Sequence, residues 1–314
     1  MDPLTGLLNG VRTSGAVFNQ SFLSGSWALR FEDGSPMALA VLLRGSAWVI
    51  AKGGDPVRLD PGDVAVLTGG APYVIADDPA GRPTVVIRSE GCTTADGETT
   101  AAATVSGVGS WGTARPDSTL LVSGLYTVDS GMSRPLLAAL PPLAVVKAEV
   151  GVCPVSPAVF EEITREAAGQ QALLDRTLDL LLITALRAWF TRPGAEIPAW
   201  YTAHADPVVG PALRLLHTNP AHRWTLEALA AKTGVSKANL VRRFTTLLGQ
   251  PPMTYLREWR LTMAADLLRE PDATLAAVAP RVGFSTAFAL SAAFKRERGI
   301  SPSEYRTGTA PTQR

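Results

Sequence analysis

Apolar and polar positions along the chain fall into three successive textures. From about Gly15 to Ala148 the apolar residues come in short runs. Among these are Ala16-Val17-Phe18, Trp27 to Phe31, Leu39 to Leu43, Ala47 to Ile50, Val64 to Leu67, Tyr73-Val74-Ile75, Val85-Val86-Ile87 and Leu120-Leu121-Val122. Turn-forming clusters stand between them: Asp33-Gly34-Ser35-Pro36, Gly53-Gly54-Asp55-Pro56, Asp60-Pro61-Gly62-Asp63 and Gly69-Gly70-Ala71-Pro72. Strands of about five residues at this spacing predict an all-β sandwich or barrel. The stretch from Gly91 to Thr113, rich in Thr, Ala, Gly and Ser, reads as a mobile loop.

Around Pro154 the period becomes helical. Gln170 to Arg192 places Leu174, Leu178, Leu181, Ala185 and Ala188 on one stripe, and Leu182, Leu186 and Phe190 on a second. One stripe can cover the β-domain, while the second calls for another partner. The helix, with Leu174, Leu178, Leu181, Leu182 and Leu186, is therefore expected to form a dimer interface, the plainer alternative being that both faces are core. It ends before Pro193-Gly194, and Pro193 to Ala205 reads as a linker.

The third texture is an internal repeat. Thr225-Leu226-x-Ala228-Leu229-Ala230-x-x-x-Gly234-Val235-Ser236 recurs 49 residues later as Thr274-Leu275-x-Ala277-Val278-Ala279-x-x-x-Gly283-Phe284-Ser285. Past one inserted residue the offset is 50, so that Phe244, Gly249, Pro252 and Tyr255 match Phe294, Gly299, Pro302 and Tyr305. Two copies are too few for a solenoid and read as a duplicated small unit. The pattern is that of a helix-turn-helix: Thr225 caps a short helix, Gly234 makes a turn that a residue with a Cβ makes poorly, and Ser236 caps a second helix. That second helix, roughly Lys237 to Leu247, buries Leu240 and Phe244 and presents Lys237, Asn239, Arg242 and Arg243 elsewhere. Arginine reads guanine edges and phosphates, and asparagine can read adenine. Between the copies, Pro252 to Arg269 is expected to be a long helix with Leu256, Trp259, Met263 and Leu267 on one face. Such a strut, about 27 Å long, could present two recognition helices to successive major grooves about 34 Å apart.

Composition adds a boundary. The 314 residues are 46% apolar and 18% charged, enough for two ordinary cores. The net charge of +1 hides an asymmetry: residues 1–205 carry 14 Lys and Arg against 20 Asp and Glu, and residues 206–314 carry 15 against 8. An acidic front of −6 and a basic back of +7 point to two modules, the second with a polyanion partner. No basic leader and no run of about 18 apolar residues is present, so the reading is a cytoplasmic protein with no membrane partner. The two cysteines, Cys92 and Cys153, are too few for a disulfide framework or a zinc ribbon.

At this point the residues resemble the AraC/XylS family of bacterial transcription regulators. The resemblance is carried by Trp224-Thr225-Leu226, Gly249-Gln250-Pro251-Pro252, Tyr255-Leu256-Arg257-Glu258-Trp259-Arg260, Ala264 to Arg269, Val282-Gly283-Phe284, and Ala293-Phe294-Lys295-Arg296 through Gly299 to Arg306. The N-terminal part is similar to the cupin-type sensor domain of one branch, through Gly45-Ser46-Ala47-Trp48, Leu59-Asp60-Pro61-Gly62-Asp63 and Leu136 to Pro142. The resemblance implies a base-contact surface at Ala238, Asn239 and Arg242, with Lys237 and Arg243 nearer phosphate and Ser236 also at the DNA. In the second unit it implies Thr286, Ala287, Phe288, Ser291 and Ala292. An arginine is common in the family where Ala292 stands, and Pro280 lies inside the leading helix of that unit, where it costs about 3 kcal/mol if unrelieved. Unit one is thus expected to supply most direct readout, and unit two to dock on phosphates through Lys295 and Arg296.

Cupin barrels also host metal-dependent enzymes, whose sites use histidines with a carboxylate. Residues 1–203 contain no histidine, and Ala40 and Tyr73 stand where related sensor domains often carry one. No metal, cofactor or catalytic residue is therefore expected. Trp27, Arg30, Trp48 and Tyr73 are candidates to line an effector pocket, Arg30 for an anionic group. A redox alternative uses Cys92, read as lying in an exposed polar loop beside Glu90, together with Cys153.

The resulting expectation is an α+β protein of two domains. Residues 1–150 form a cupin-like β-barrel sensor, 151–192 a helical dimerisation element, 193–205 a linker, and 206–314 an all-α DNA-binding domain. Its helix-turn-helix units lie at about 225–247 and 274–297. The expected function is a homodimeric, sequence-specific regulator of transcription controlled by a small molecule or other signal. The resemblance favours activation through RNA polymerase. A non-specific architectural DNA binder, or an enzyme with a DNA-binding tail, are the alternative classes.

Overall fold

The computed structural model describes residues 11–12, 19–88, 91–94, 110–111, 115–128, 133–148, 165, 167–270 and 272–307. These fall into two compact units, one holding residues 12–128 and 136–196 and the other built mainly from Ile197 onward.

The first unit runs through β1 (Val11–Arg12), β2 (Asn19–Leu23), β3 (Ala28–Phe31), β4 (Met37–Arg44), β5 (Ala47–Ala51), β6 (Val57–Leu59) and β7 (Val64–Thr68). It continues with β8 (Tyr73–Ala76), β9 (Val85–Arg88), β10 (Gly91–Thr94), β11 (Ser110–Trp111), β12 (Thr119–Val128), a short helix α1 (Arg134–Ala138) and β13 (Leu143–Val146). One sheet has the order β11-β2-β12-β4-β7-β13, with β1 also paired to β12, and the other the order β10-β9-β3-β8-β5-β6. The turns at Asp33–Pro36, Asp60–Asp63 and Gly69–Pro72 each carry the chain from one sheet to the other, whereas Gly53–Pro56 closes the antiparallel β5–β6 hairpin. Strand alternation sends Leu29 and Phe31, Ala38, Ala40 and Leu42, Val49, Ala65 and Leu67, Ile75 and Ile87 into one core between the sheets.

The expected barrel is not closed among the described residues: no backbone ladder joins the two sheets. A side chain bridges one seam instead. Lys147, just after β13, donates to the Arg58 carbonyl of β6 at 2.8 Å and to Asp63 at 2.7 Å. The buried Asp63 carboxylate also accepts the backbone N–H groups of Asp60 and Ala148 at 2.8 and 2.9 Å, so its charge is fully partnered. The expected loop from Gly91 to Thr113 is correct in neither end segment. β10 pairs with β9, and β11 pairs with β2: Thr93, Thr94 and Trp111 favour strands, and backbone pairing overrides the weak preference of Gly91 and Ser110.

α2 (Gln170–Thr191) covers the outer face of the first sheet, touching β7 and β13. This corrects the dimer assignment of its leucines. Leu174, Leu178, Leu181, Leu182 and Leu186 are all buried within the chain, since β4, β7 and β12 are apolar on both faces and need a cover. The Tyr126 hydroxyl donates to the Leu178 carbonyl at 3.0 Å, and burial pushes that hydroxyl's pKa up, so it remains a donor. Gly124 lies directly under Leu178: a Cβ on it would stand 2.6 Å from Leu178 Cδ1. What α2 leaves outward is Leu180, 48% exposed, flanked by half-buried Leu173 and Ile183.

The second unit is helical: α3 (Ala199–Ala205), α4 (Val209–Thr218), α5 (Leu226–Thr233), α6 (Lys237–Leu248), α7 (Pro252–Leu267), α8 (Leu275–Arg281), α9 (Ala287–Arg298) and α10 (Pro302–Arg306). Residues 199–205 of the expected linker are thus a helix, packed on α4 and α6 with Ala203 fully buried. Gly210 permits the close approach, because a Cβ there would meet the His204 carbonyl oxygen at 2.2 Å. Two cores follow. Leu213, Leu216, Leu229, Leu240, Phe244 and Leu256 make the first, and Leu261, Ala264, Ala265, Leu268, Val278, Leu290 and Phe294 the second.

Leu178→Ala is expected to cost about 2–5 kcal/mol through the cavity it leaves, and Gly124→Val about 1–3 kcal/mol through overpacking. In urea unfolding the double variant should cost clearly less than the two together, since the first change vacates the space the second needs. Additive costs would show that α2 is not seated on Gly124.

Candidate nucleic-acid interface

Each helix-turn-helix is built by the same short-range bonds. In the first, Thr225 Oγ1 accepts the Ala228 N–H at 3.1 Å and Ser236 Oγ accepts the Asn239 N–H at 3.3 Å. In the second, Thr274 accepts from Ala277 at 3.2 Å and Thr286 from Ala289 at 3.1 Å. Side-chain acceptors thus satisfy N–H groups that have no partner within the helix. The turns repeat as well. Gly234 (φ 70°) and Gly283 (φ 81°) both adopt the left-handed conformation, with N–H groups donating to Ala231 and Pro280. Val235 and Phe284 donate to Ala230 and Ala279 in the same way. The inserted residue is Ser285, so Thr286 takes over the role of Ser236.

Pro280 costs α8 little. It lies in the last turn of a seven-residue helix on the exposed side, and the carbonyl it deprives of a bond, that of Ala276, belongs to an exposed residue that water reaches.

On α6, Leu240 and Phe244 are buried, while Lys237, Ala238 and Arg242 are exposed and Asn239 is half-buried beside them. Arg242 Nη2 donates to Asn239 Oδ1 at 3.1 Å, which holds the two side chains as one polar patch. Lys237 Nζ lies 2.8 Å from Glu227 Oε1 in an exposed ion pair of little stability, readily exchanged for a phosphate. Arg243 departs from the expectation that set it near phosphate. Its Nη2 is 2.5 Å from Asp206 Oδ2, a carboxylate that also accepts the Val208 and Val209 N–H groups at 2.8 Å at the start of α4. Burial alone raises the Asp206 pKa, but the Val209 N–H, Arg243 and the Val208 N–H together hold it below the ordinary value.

On α9, Leu290, Ala293 and Phe294 are buried. Thr286, Phe288, Ala292, Lys295 and Arg296 are exposed, with Ala287 and Ser291 half-buried at the flanks. By the offset of 50, Phe288 stands where α6 has Ala238, and Ala292 where it has Arg242.

α7 joins the two units and departs from the single expected face. Its first half gives Leu256 to one core, its second half gives Leu261, Ala264 and Ala265 to the other, and Met263 and Leu267 are only partly buried. Trp259 stacks on His217 at 4.0 Å, and His217 Nε2 is 2.8 Å from the Tyr255 hydroxyl. Arg260 fastens the join. Its guanidinium donates to the carbonyls of Pro220 and His222 at 2.7 Å each, and it packs against Gly283, whose missing Cβ would lie 2.9 Å from it. The anchoring role of Asp206 and the tethering role of Arg260 are not evident from the sequence pattern alone. The signals for them were an Asp three residues before the α4 stripe and a Gly at the second turn.

In the sandwich the four candidate pocket residues do not converge. Trp27 and Tyr73 point into the core, Tyr73 stacking on Phe31 at 4.6 Å. Arg30 and Trp48 occupy alternate positions and face outward, Arg30 donating to Glu32 Oε1 at 2.5 Å. The two-residue period of a strand separates them. An open depression of about 520 Å3 lies elsewhere, beside the β3–β4 and β7–β8 turns, lined by Gly34, Pro36, Thr68, Gly69, Leu137, Leu140 and Pro142. Cys92 is on β10, half-buried against the core, and burial raises its thiol pKa, which lowers the fraction of reactive thiolate. Cys153 lies outside the described residues. Among the described residues no cluster of metal-ligating side chains occurs, and no helix is long and apolar enough to cross a membrane.

A cupin family model matches residues 2–191, and a helix-turn-helix domain model matches residues 229–308. Over 311 residues the chain is 32% identical to a putative AraC-like transcription regulator of Streptomyces lividans, covering 98% of each chain. Over 316 residues it is 31% identical to another from Streptomyces antibioticus, covering 99% of this chain and 100% of that one. Of solved structures, it is similar to the DNA-binding domain of AdpA, a global transcriptional factor, in complex with a target DNA. The identity there is 31% over 34% of this chain and 99% of that one, with a TM-score of 0.31.

Because its folded-state pKa is depressed, the Asp206 carboxylate contributes stability above about pH 4, the ordinary range for Asp, and that contribution is lost as pH falls through the folded-state value. Asp206→Asn is therefore expected to lower stability by about 1–3 kcal/mol at pH 7 and by much less at pH 3. Chemical denaturation at the two pH values checks this, and an equal loss at both would reject the ionic anchor.

Proposed function

The chain belongs to the AraC-like transcription regulators, with a cupin N-terminal domain and a helix-turn-helix DNA-binding domain, and on that premise we propose how it engages its targets. α6 carries the main direct readout of double-stranded DNA through Ala238, Asn239 and Arg242, with Ser236 at its cap also against the DNA. The second unit adds phosphate contacts through Lys295 and Arg296. The observation that supports this is the Arg242–Asn239 pair, exposed and pre-ordered on the face opposite Leu240 and Phe244. A guanidinium held in one orientation loses less entropy when it meets a guanine edge. Lys237 adds a phosphate contact, while Arg243 acts within the protein, positioning α6.

Control enters through the cupin domain. A small apolar effector fits the depression beside Leu137, Leu140 and Pro142 better than the divided set Trp27, Arg30, Trp48 and Tyr73. The chain acts as a homodimer that presents two DNA-binding domains, and it activates by contact with RNA polymerase. The outward stripe of α2 around Leu180 supports self-association, since the buried leucines are already engaged. That both Streptomyces relatives are named as regulators over their whole length supports a non-catalytic role for the cupin domain.

Selection from random duplex DNA by the full chain at physiological salt is expected to return a bipartite motif with one half read more strongly. Arg242→Ala should cost about 1–3 kcal/mol on the selected duplex and relax preference at a single position, whereas Lys295→Ala or Arg296→Ala should weaken all sequences alike and reduce the salt slope by about 1. Enrichment unchanged by Arg242→Ala rejects the assignment.

Leu180→Arg is expected to yield a monomer in sedimentation that keeps the far-UV circular dichroism of the folded chain, since an outward position accepts a charged side chain without disturbing the core. A dimer that persists would remove the α2 stripe as the interface.

A further inference from the structure

We propose that α9 reads its half of the target through thymine methyl groups, with Phe288 as the specificity-determining side chain. The inference rests on the DNA-binding reading above and adds what the second unit recognises. Phe288 is 83% exposed, the most exposed large apolar side chain among the described residues, well beyond Leu180 and Ile197. It sits in the first turn of α9, two residues past the cap, where a recognition helix meets base edges. Leu290, Ala293 and Phe294 turn the opposite face into the second core, so Phe288 cannot be drawn inward without unseating them.

The face that Phe288 leads has a definite chemical order. Phe288 and Ala292 lie one turn apart, and Lys295 and Arg296 follow on the next turn, all exposed. Glu297, the acidic residue beside them, is directed to Arg257 at 3.7 Å. On α6 the equivalent rows are Ala238 and Arg242, then Thr245 and Thr246, so the cation stands mid-face in the first unit and at the far end in the second. A cationic end holds phosphates. An apolar centre offers nothing to the hydrogen-bonding edges of guanine, cytosine or adenine, whereas thymine alone among the four bases presents a methyl group in the major groove. Thr286 Oγ1 caps the Ala289 N–H, and the hydroxyls of Thr286 and Ser291 suit either kind of edge, so neither competes with the phenyl ring for discrimination.

The test uses the full chain and the duplex that selection returns. Each dT of the second half-site is replaced in turn by dU, which removes the methyl and keeps the pairing. Wild type is expected to bind about three- to fivefold more weakly at one or two of these positions, the worth of one buried methyl. Phe288→Ala should lower binding to the dT duplex to the same level and abolish the dT–dU difference. Phe288→Leu should retain part of it. Arg242→Ala should weaken both duplexes equally. Equal binding of dT and dU duplexes by wild type at every position overturns the inference, as does a difference that survives in Phe288→Ala or a motif confined to one half-site. A selection that returns no motif at all overturns the DNA reading beneath it instead.

Discussion

One helix of sixteen residues has to belong to two hydrophobic cores at once, and the DNA-binding domain is organised around that constraint. Leu256 cannot leave the first core, nor Leu261 and Ala265 the second, without exposing a fully buried side chain at about 1.5–3 kcal/mol for each leucine. The distance and the rotation between the two recognition helices are therefore set by the pitch of α7, about 24 Å along its length, and not by a flexible tether. Arg260 adds a polar lock of the same kind. By donating to Pro220 and His222 while lying against Gly283, it ties the approach to the first unit to the turn of the second. Burial lowers the pKa of that guanidinium, yet an arginine remains charged under any physiological condition, so its two donated bonds persist.

Rigid coupling decides how the two helix-turn-helix units act together. If α6 and α9 were joined by a coil, the second would be held at an effective concentration that falls with tether length. On a helix locked at both ends that entropy is lost during folding, and a second half-site contributes its full contact energy only when its spacing fits. Spacing is thereby a readable feature of the target, independent of any base contact.

The parts of the fold visible in the sequence were those fixed by short-range rules. Thr225, Gly234 and Ser236 announce cap, turn and cap because an oxygen acceptor and a residue without a Cβ are needed at those places, and the duplicate at Thr274 and Gly283 follows the same necessity. The turns of the sandwich were legible for the same reason. What the sequence withheld depended on long-range partners. The leucines of α2 looked like a dimer seam because a helix wheel shows how much apolar surface exists, not which sheet already claims it; Gly124 under Leu178 was the clue. Arg243 looked like a phosphate ligand because only the folded chain brings Asp206, 37 residues earlier, to within 2.5 Å. Trp27 and Arg30 are neighbours in sequence, yet strand alternation sends one inward and the other out.

The two recognition helices share a scaffold and differ in what they expose, which is the expected outcome of duplication under a packing constraint. Leu240 and Phe244 correspond to Leu290 and Phe294, and the buried Leu229 to Val278, so the cores keep apolar character at each position, while exposed Ala238 and Arg242 correspond to Phe288 and Ala292, where solvent places no such demand. The difference between the copies is thus greatest on the exposed face. Pro280 fits the same account: the residue least expected in a helix sits where the chain tolerates it, in a last exposed turn whose missing bond water replaces. The buried rows of the duplicated unit hold it together, and its exposed rows are where the two copies differ in charge and size.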